Sequence, residues 1–89
     1  GELETQYYAR LTVTDEASVL AKIATVLGDL EISIASVIQK NADPASQTAV
    51  IVIMTHPSKE AHVRRATQEL GALGVVKEVS NIIRVERWA

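Results

Sequence analysis

The sequence contains no cysteine and no phenylalanine. Without a thiol the chain can hold no disulfide, no thiolate metal site and no cysteine nucleophile. The same absence fits a cytoplasmic setting, where thiols stay reduced and disulfides are rare. Aromatic residues are scarce, with only Tyr7, Tyr8 and Trp88. Charge of one sign is also lacking: nine Lys and Arg stand against eleven Asp and Glu, a net charge of −2. A nucleic-acid surface needs a basic field, usually with aromatics for bases to stack on, and this chain offers neither. An anionic membrane surface is disfavoured for the same electrostatic reason. No apolar run approaches the ~18 residues of a membrane span, and no charged-then-apolar leader opens the chain.

What remains is one small domain of 89 residues. A chain of this size buries only about 60–65% of its unfolded surface, so its stability is modest or shared with a partner. Its abrupt start, Gly1-Glu2-Leu3-Glu4, reads as a piece of something longer.

Gln6 to Val13 alternates, with Tyr7, Ala9, Leu11 and Val13 on one side and Tyr8, Arg10 and Thr12 on the other. A period of two predicts a half-exposed strand. Thr14-Asp15-Glu16 is polar and acidic, which suits a helix start, with Asp15 a candidate N-cap. From Val19 the apolar spacing becomes helical: Val19, Leu20, Ile23, Ala24, Val26, Leu27 and Leu30 predict a helix with a wide buried stripe. Gly28-Asp29 marks its expected end.

Ile32 and Ile34, then Val37 and Ile38, predict a second strand, and the slip in phase between them predicts a bulge in an edge strand. Lys40 to Gln47 reads as a loop turning at Asp43-Pro44. Thr48 to Thr55 is apolar on both faces and is the expected central strand. His56-Pro57-Ser58 ends it and is expected to cap a second helix, with Glu60 favourably placed in the first turn. Val63, Ala66, Thr67, Leu70 and Leu73 form that helix's stripe, which Gly71 and Gly74 close. Val75 to Val79 and Ile82 to Val85 form a last strand, interrupted at Ser80-Asn81. The order is βαββαβ. Two one-sided helices on one face of a four-stranded antiparallel sheet make an α+β, ferredoxin-like sandwich.

Few residues can carry covalent chemistry. His56 and His62 are the two histidines, and neither has a second ligand at metal spacing. No Gly-rich phosphate loop and no Gly-x-Ser-x-Gly elbow occurs. Serines 18, 33, 36, 46, 58 and 80 have no base placed by the pattern, so the expectation is no catalytic and no metal site. Trp88 reads as a residue that packs against the domain or against a missing part of a longer chain. Asp15 has two compatible roles: capping the helix, or receiving a ligand ammonium while the helix N-terminus receives its carboxylate. Ser33, Ser36 and Gln39 either face solvent along an edge strand or meet a second copy there. Gln39 offers both a donor and an acceptor to a ligand.

The run Asp15 to Leu20, the Ile32-Ser33-Ile34 strand and the βαββαβ order resemble the ACT domain, a small regulatory module that binds amino acids. The resemblance covers about residues 7 to 86 of the single domain 1–89. Four segments look more narrowly like the C-terminal ACT domain of bacterial homoserine dehydrogenase. They are Tyr7-Tyr8-Ala9-Arg10-Leu11, Ile32 through Gln39, Val52-Ile53-Met54-Thr55-His56, and Ile83-Arg84-Val85.

That resemblance implies a parent enzyme reducing aspartate semialdehyde to homoserine with NAD(P)H, whose nucleotide-binding and catalytic parts lie outside this chain; no cofactor is expected in the domain itself. It also implies feedback control of threonine and methionine biosynthesis, with L-threonine the expected ligand. Self-association through strand edges into a homodimer or larger assembly is implied too. The ligand then sits between Asp15, Ser18, Val19 and Leu20 of one copy and Ser33, Ile34 and Gln39 of the other.

One departure stands out. The family loop has Pro-Gly where this chain has Ala17-Ser18. Proline at a first helical position preorganises the turn, and its loss costs about 0.4–1 kcal/mol. Serine at a positive φ is strained by about 1–3 kcal/mol. Millimolar binding amounts to only about −4 kcal/mol, so strain of that size is enough to threaten it, unless Ser18 instead supplies a hydroxyl or an alternative cap. The alternative expectation is therefore a purely structural dimerisation module without a ligand.

Overall fold

A computed structural model describes residues 4–85. The chain runs β1 (Glu4–Thr14), α1 (Val19–Asp29), β2 (Ile34–Asp43), β3 (Thr48–Thr55), β4 (Ser58–Lys59), α2 (Glu60–Ala72) and β5 (Val76–Val85). The expected βαββαβ order holds, and the two-residue β4 is an addition that pairs with the start of β1 at Glu4 and Thr5. The four long strands lie in the order β2-β3-β1-β5, every pair antiparallel.

The alternation in β1 sorts its residues to two faces. Tyr7, Leu11 and Val13 are buried, while Tyr8, Arg10 and Thr12 are half-buried on the opposite side. Register carries the division across the sheet, because directly paired residues share a face. Leu11 opposes Ile51, Val13 opposes Ala49, and Ile53 opposes Val37. Onto this inner face fold Val19, Ile23 and Leu27 of α1 and Val63, Ala66 and Leu70 of α2, forming one apolar cluster. Leu11, at 0% exposure, sits at its centre. Each fully buried side chain of that kind contributes about 1.5–3 kcal/mol.

Several local expectations are corrected. Leu20 and Ala24 belong to the helical apolar pattern but are exposed, so the buried stripe of α1 is narrower than its sequence suggests. The cause is β2, which lies at the sheet edge and leaves that flank of α1 uncovered. Helix α1 begins at Val19, so Ala17-Ser18 is a turn ahead of it and Ala17 is not the first helical residue. Its end agrees with the expectation: the last helical residue is Asp29 and the cap is Leu30. The Glu31 N–H donates to the Gly28 carbonyl at 3.0 Å and the Ile32 N–H to the Leu27 carbonyl at 2.9 Å. This pair of bonds is a Schellman closure, which needs a left-handed residue at the first position beyond the cap. Glu31, at φ 60°, fills that position instead of a glycine.

Strand β2 continues through Lys40 to Asp43, where the sequence reads as loop; the turn itself is confined to 44–47. Asp43 builds it, accepting the Ala45 N–H at 3.1 Å and the Ser46 hydroxyl at 2.9 Å. The predicted bulge in β2 is present between Ile34 and Ser36, with a second between Gln39 and Ala42. The last strand is continuous from Val76 to Val85. Its expected break at Ser80-Asn81 is a bulge, since Arg10 faces Asn81 and Leu11 faces Val79. Ser58 does not cap α2. It is buried, and its hydroxyl donates to the His56 carbonyl at 2.8 Å; the cap position belongs to Lys59. Helix α2 extends past Gly71 to Ala72, so that glycine does not close it. The expectation for Trp88 falls outside the described residues. No helix among them is long and apolar enough to cross a membrane.

Candidate functional site

Where β1 leaves the sheet, the chain turns through Asp15 to Ser18 before entering α1. The Asp15 N–H donates to the Gln47 carbonyl at 2.9 Å, which ties this turn to the β2–β3 turn. Glu16 receives the Thr14 hydroxyl at 2.8 Å. Asp15 is therefore not the N-cap. Ser18 holds that position, at φ −82° and ψ −7°, and makes no side-chain capping bond. The Val19 N–H donates to the Glu16 carbonyl at 3.2 Å, and no side chain caps the N–H groups that follow, so the helix start keeps its partial positive charge. The Asp15 carboxylate takes no hydrogen bond from the described residues.

Beneath this turn lies a cleft of about 170 Å³. Val13, Ala49 and Ile51 form its apolar floor, Val19 and Leu20 its helical wall, and Gln39 its far side. Gln39 reaches it because Gln39 pairs with Ile51, which places both on the inner face of the sheet. The cleft is smaller than the ~300–1,000 Å³ typical of sites for drug-sized molecules, and its mix of apolar floor and few polar groups suits a small ligand. A carboxylate suits the helix start, an ammonium suits Asp15, and a hydroxyl suits Gln39.

Of the residues expected at a ligand, one copy of the chain brings Asp15, Val19, Leu20 and Gln39 together around this cleft. Ser18 stands next to it in the turn but does not line it. Ser33 and Ile34 lie elsewhere, at the far end of β2, where the Ser33 carbonyl accepts the His56 N–H at 2.9 Å. Thr14 and Glu16 also line the cleft and were not anticipated. Their acidic, hydroxyl-bearing run beside Asp15 was the available signal.

Strand β2 borders the cleft and is exposed nearly throughout. It pairs with β3 along one edge only. Val37 on its inner face is 39% exposed and Leu20 on α1 is 44% exposed. Apolar surface therefore gathers on the helix side of the free edge. His56 is exposed and His62 half-buried. No group of three or more His, Asp or Glu residues suited to a metal occurs among the described residues.

Solved structures now place this architecture. An ACT domain from the GTP pyrophosphokinase of Chlorobium tepidum superposes with a TM-score of 0.66 over 92% of this chain and 99% of its own, at 12% identity. The fold is that of an ACT domain. A homoserine dehydrogenase from Thiobacillus denitrificans matches this ACT domain more closely, with a TM-score of 0.82 and 34% identity over 93% of this chain and 18% of that one. In sequence, the homoserine dehydrogenase of Methylobacillus glycogenes is 35% identical over 97% of the chain and 21% of its own length. That of Neisseria gonorrhoeae is 36% identical over 96% and 19%. No family model matches the chain. The chain thus corresponds to a segment of homoserine dehydrogenases and spans about one fifth of the length of the relatives it matches.

Proposed function

We propose that this ACT domain is the amino-acid sensor of a homoserine dehydrogenase and that it binds L-threonine where two copies meet. The observation that carries the reading is the convergence of Asp15, the uncapped α1 start and Gln39 on one small cleft beside a free strand edge. The zwitterion's carboxylate sits at the helix start, its ammonium at Asp15, and its hydroxyl at Gln39. A second copy docking along β2 covers Leu20 and Val37 and closes the open side of the cleft. It also brings its own Ser33 and Ile34 toward the shared boundary, which accounts for their distance from the cleft in a single copy.

Binding at such a boundary alters activity only if the ligand prefers one of two arrangements of the pair. The attached dehydrogenase part, with its NAD(P) and aspartate semialdehyde, then reads that preference. A cytoplasmic setting follows from the same reading. The exposed β2 edge supports a second reading, a structural dimerisation module that binds no ligand.

Calorimetric titration with L-threonine, beside L-serine, L-isoleucine and L-methionine, separates the two. The oligomer size is recorded on the same samples. The sensor predicts saturable heat with threonine that disappears in Gln39→Ala without loss of the fold. A stable dimer that gives no heat at tens of millimolar threonine leaves the structural module.

A further inference from the structure

The sheet has a second face, turned away from both helices, and the ligand cleft makes no use of it. Register places Tyr8, Arg10 and Thr12 of β1 there, with Val50, Val52 and Met54 of β3, Ile38 of β2 and Ile83 of β5. Ile38 and Ile83 are 54% and 52% exposed, among the most exposed large apolar side chains described. They stand on the two outer strands and flank the half-buried Tyr8, Met54 and Val50 between them. Apolar side chains thus run across this face from Ile38 to Ile83, with Ser36, Glu78 and Asn81 as polar neighbours on the outer strands, and exposed apolar residues gathered in this way point to an interaction surface.

Arg10 sits in the middle of this face, between Val52 on one side and Asn81 on the other. Arg64, Arg65 and Arg84 all reach carboxylates, yet Arg10 has no hydrogen bond or ion pair with a described residue. A lone guanidinium inside an apolar surface narrows what can cover it. A second copy laid face to face about a central two-fold axis brings Arg10 toward Arg10, and like charges buried together are penalised. A covering surface that carries a carboxylate forms a forked ion pair and buries the apolar ring around it. The relatives are about five times as long as this chain, so most of such an enzyme lies outside the domain and can supply that surface.

We propose that the open sheet face docks onto the dehydrogenase part of the same enzyme, through an apolar segment whose aspartate or glutamate pairs with Arg10. This rests on the homoserine dehydrogenase reading above. It assigns the two faces of the domain different tasks: the helix side and β2 edge sense the amino acid, and the open face transmits the result.

The test uses the full-length dehydrogenase that carries this domain, with a photo-crosslinking residue at Ile83 and mass spectrometry to find what it captures. The expected result is capture of an acidic segment of the dehydrogenase part. Arg10→Glu should lower that capture about tenfold or more, and reversing the captured acid to lysine should restore it. Arg10→Gln, which is shorter but still polar and carries no charge, should lose capture as well. No capture, capture of another copy of the domain, or capture unchanged by Arg10→Glu overturns the proposal. Turnover of aspartate semialdehyde with NADPH is measured on the same enzyme. Absent turnover sinks the homoserine dehydrogenase reading, whereas the crosslink still decides the docking by itself.

Discussion

The Thr55 hydroxyl oxygen accepts the Tyr7 backbone N–H at 3.0 Å, a buried bond between residues 48 apart. It lies just beyond the backbone pairing of β1 with β3, which ends at Tyr8 and Met54. A side chain therefore takes over where the ladder stops and satisfies a donor that no water can reach. Gln6 reinforces the junction by donating to the Thr55 carbonyl at 3.2 Å.

Replacing Thr55 with valine keeps the shape and removes the acceptor. A buried N–H left without a partner costs about 1–3 kcal/mol. Thr55→Val should lower the urea midpoint accordingly, while Thr55→Ser, which retains the oxygen, should lose clearly less. Equal losses in the two variants would show that packing of the methyl group, and not the bond, matters there.

The end of α1 predicts a gain. Glu31 occupies a left-handed position that costs an ordinary L-residue about 1–2 kcal/mol, whereas glycine adopts it freely. Gly28 has the opposite mismatch: it lies within the helix, and a Cβ there would meet nothing within 4 Å. Glycine inside a helix is worse than alanine by about 0.8–1.0 kcal/mol. Glu31→Gly and Gly28→Ala should each raise the thermal midpoint. The swap tests whether the glycine three positions early is a misfit of this chain or serves contacts outside it.

This helix end also shows where the sequence could be read and where it could not. Strand β3 was plain because it is β-branched and apolar on both faces, as suits a strand flanked by two others, here β2 and β1. The α2 stripe was plain because every third or fourth residue from Val63 to Leu70 is buried. The α1 end at Gly28-Asp29 was legible, but its left-handed closure was not, because glycine is the usual signal and here Glu31 takes that role. The far half of β2 was hidden because Lys40, Asn41 and Asp43 are polar on an exposed edge, and an edge strand facing water has the composition of a loop. At the candidate site, Asp15 and Gln39 stand far apart in sequence. Only strand pairing, through Gln39 and Ile51, brings them to one cleft.

Ser18 settles a question posed by its own departure from the family pattern. Its φ of −82° is ordinary for serine, so the turn stores no left-handed strain and strain does not stand against ligand binding. Ser18→Gly should change stability by only a few tenths of a kcal/mol, about the difference between serine and glycine at an N-cap. Denaturant unfolding measures this directly. A stabilisation above about 1 kcal/mol would mean that Ser18 is strained after all.

The free edge carries the last prediction. From Ser36 to Gln39 the strand β2 stays in regular register with β3, from Met54 to Ile51, and its other side is unpaired. Bulges flank this stretch on both sides, so the pairing-competent part is short and its position is set. The Leu20 and Val37 side chains add apolar area on the helix side of the same edge. Val37→Lys places a charge where a second copy's strand would approach, the device by which natural edge strands resist pairing. The folded core loses little, because Val37 is already 39% exposed. Sedimentation velocity should therefore show a dimer for the parent chain and a folded monomer for Val37→Lys, with threonine heat lost together with the dimer. Ile83→Lys, on the opposite edge strand and the opposite face, should leave that dimer intact. If both substitutions dissociate it, or neither does, the copies do not meet along β2.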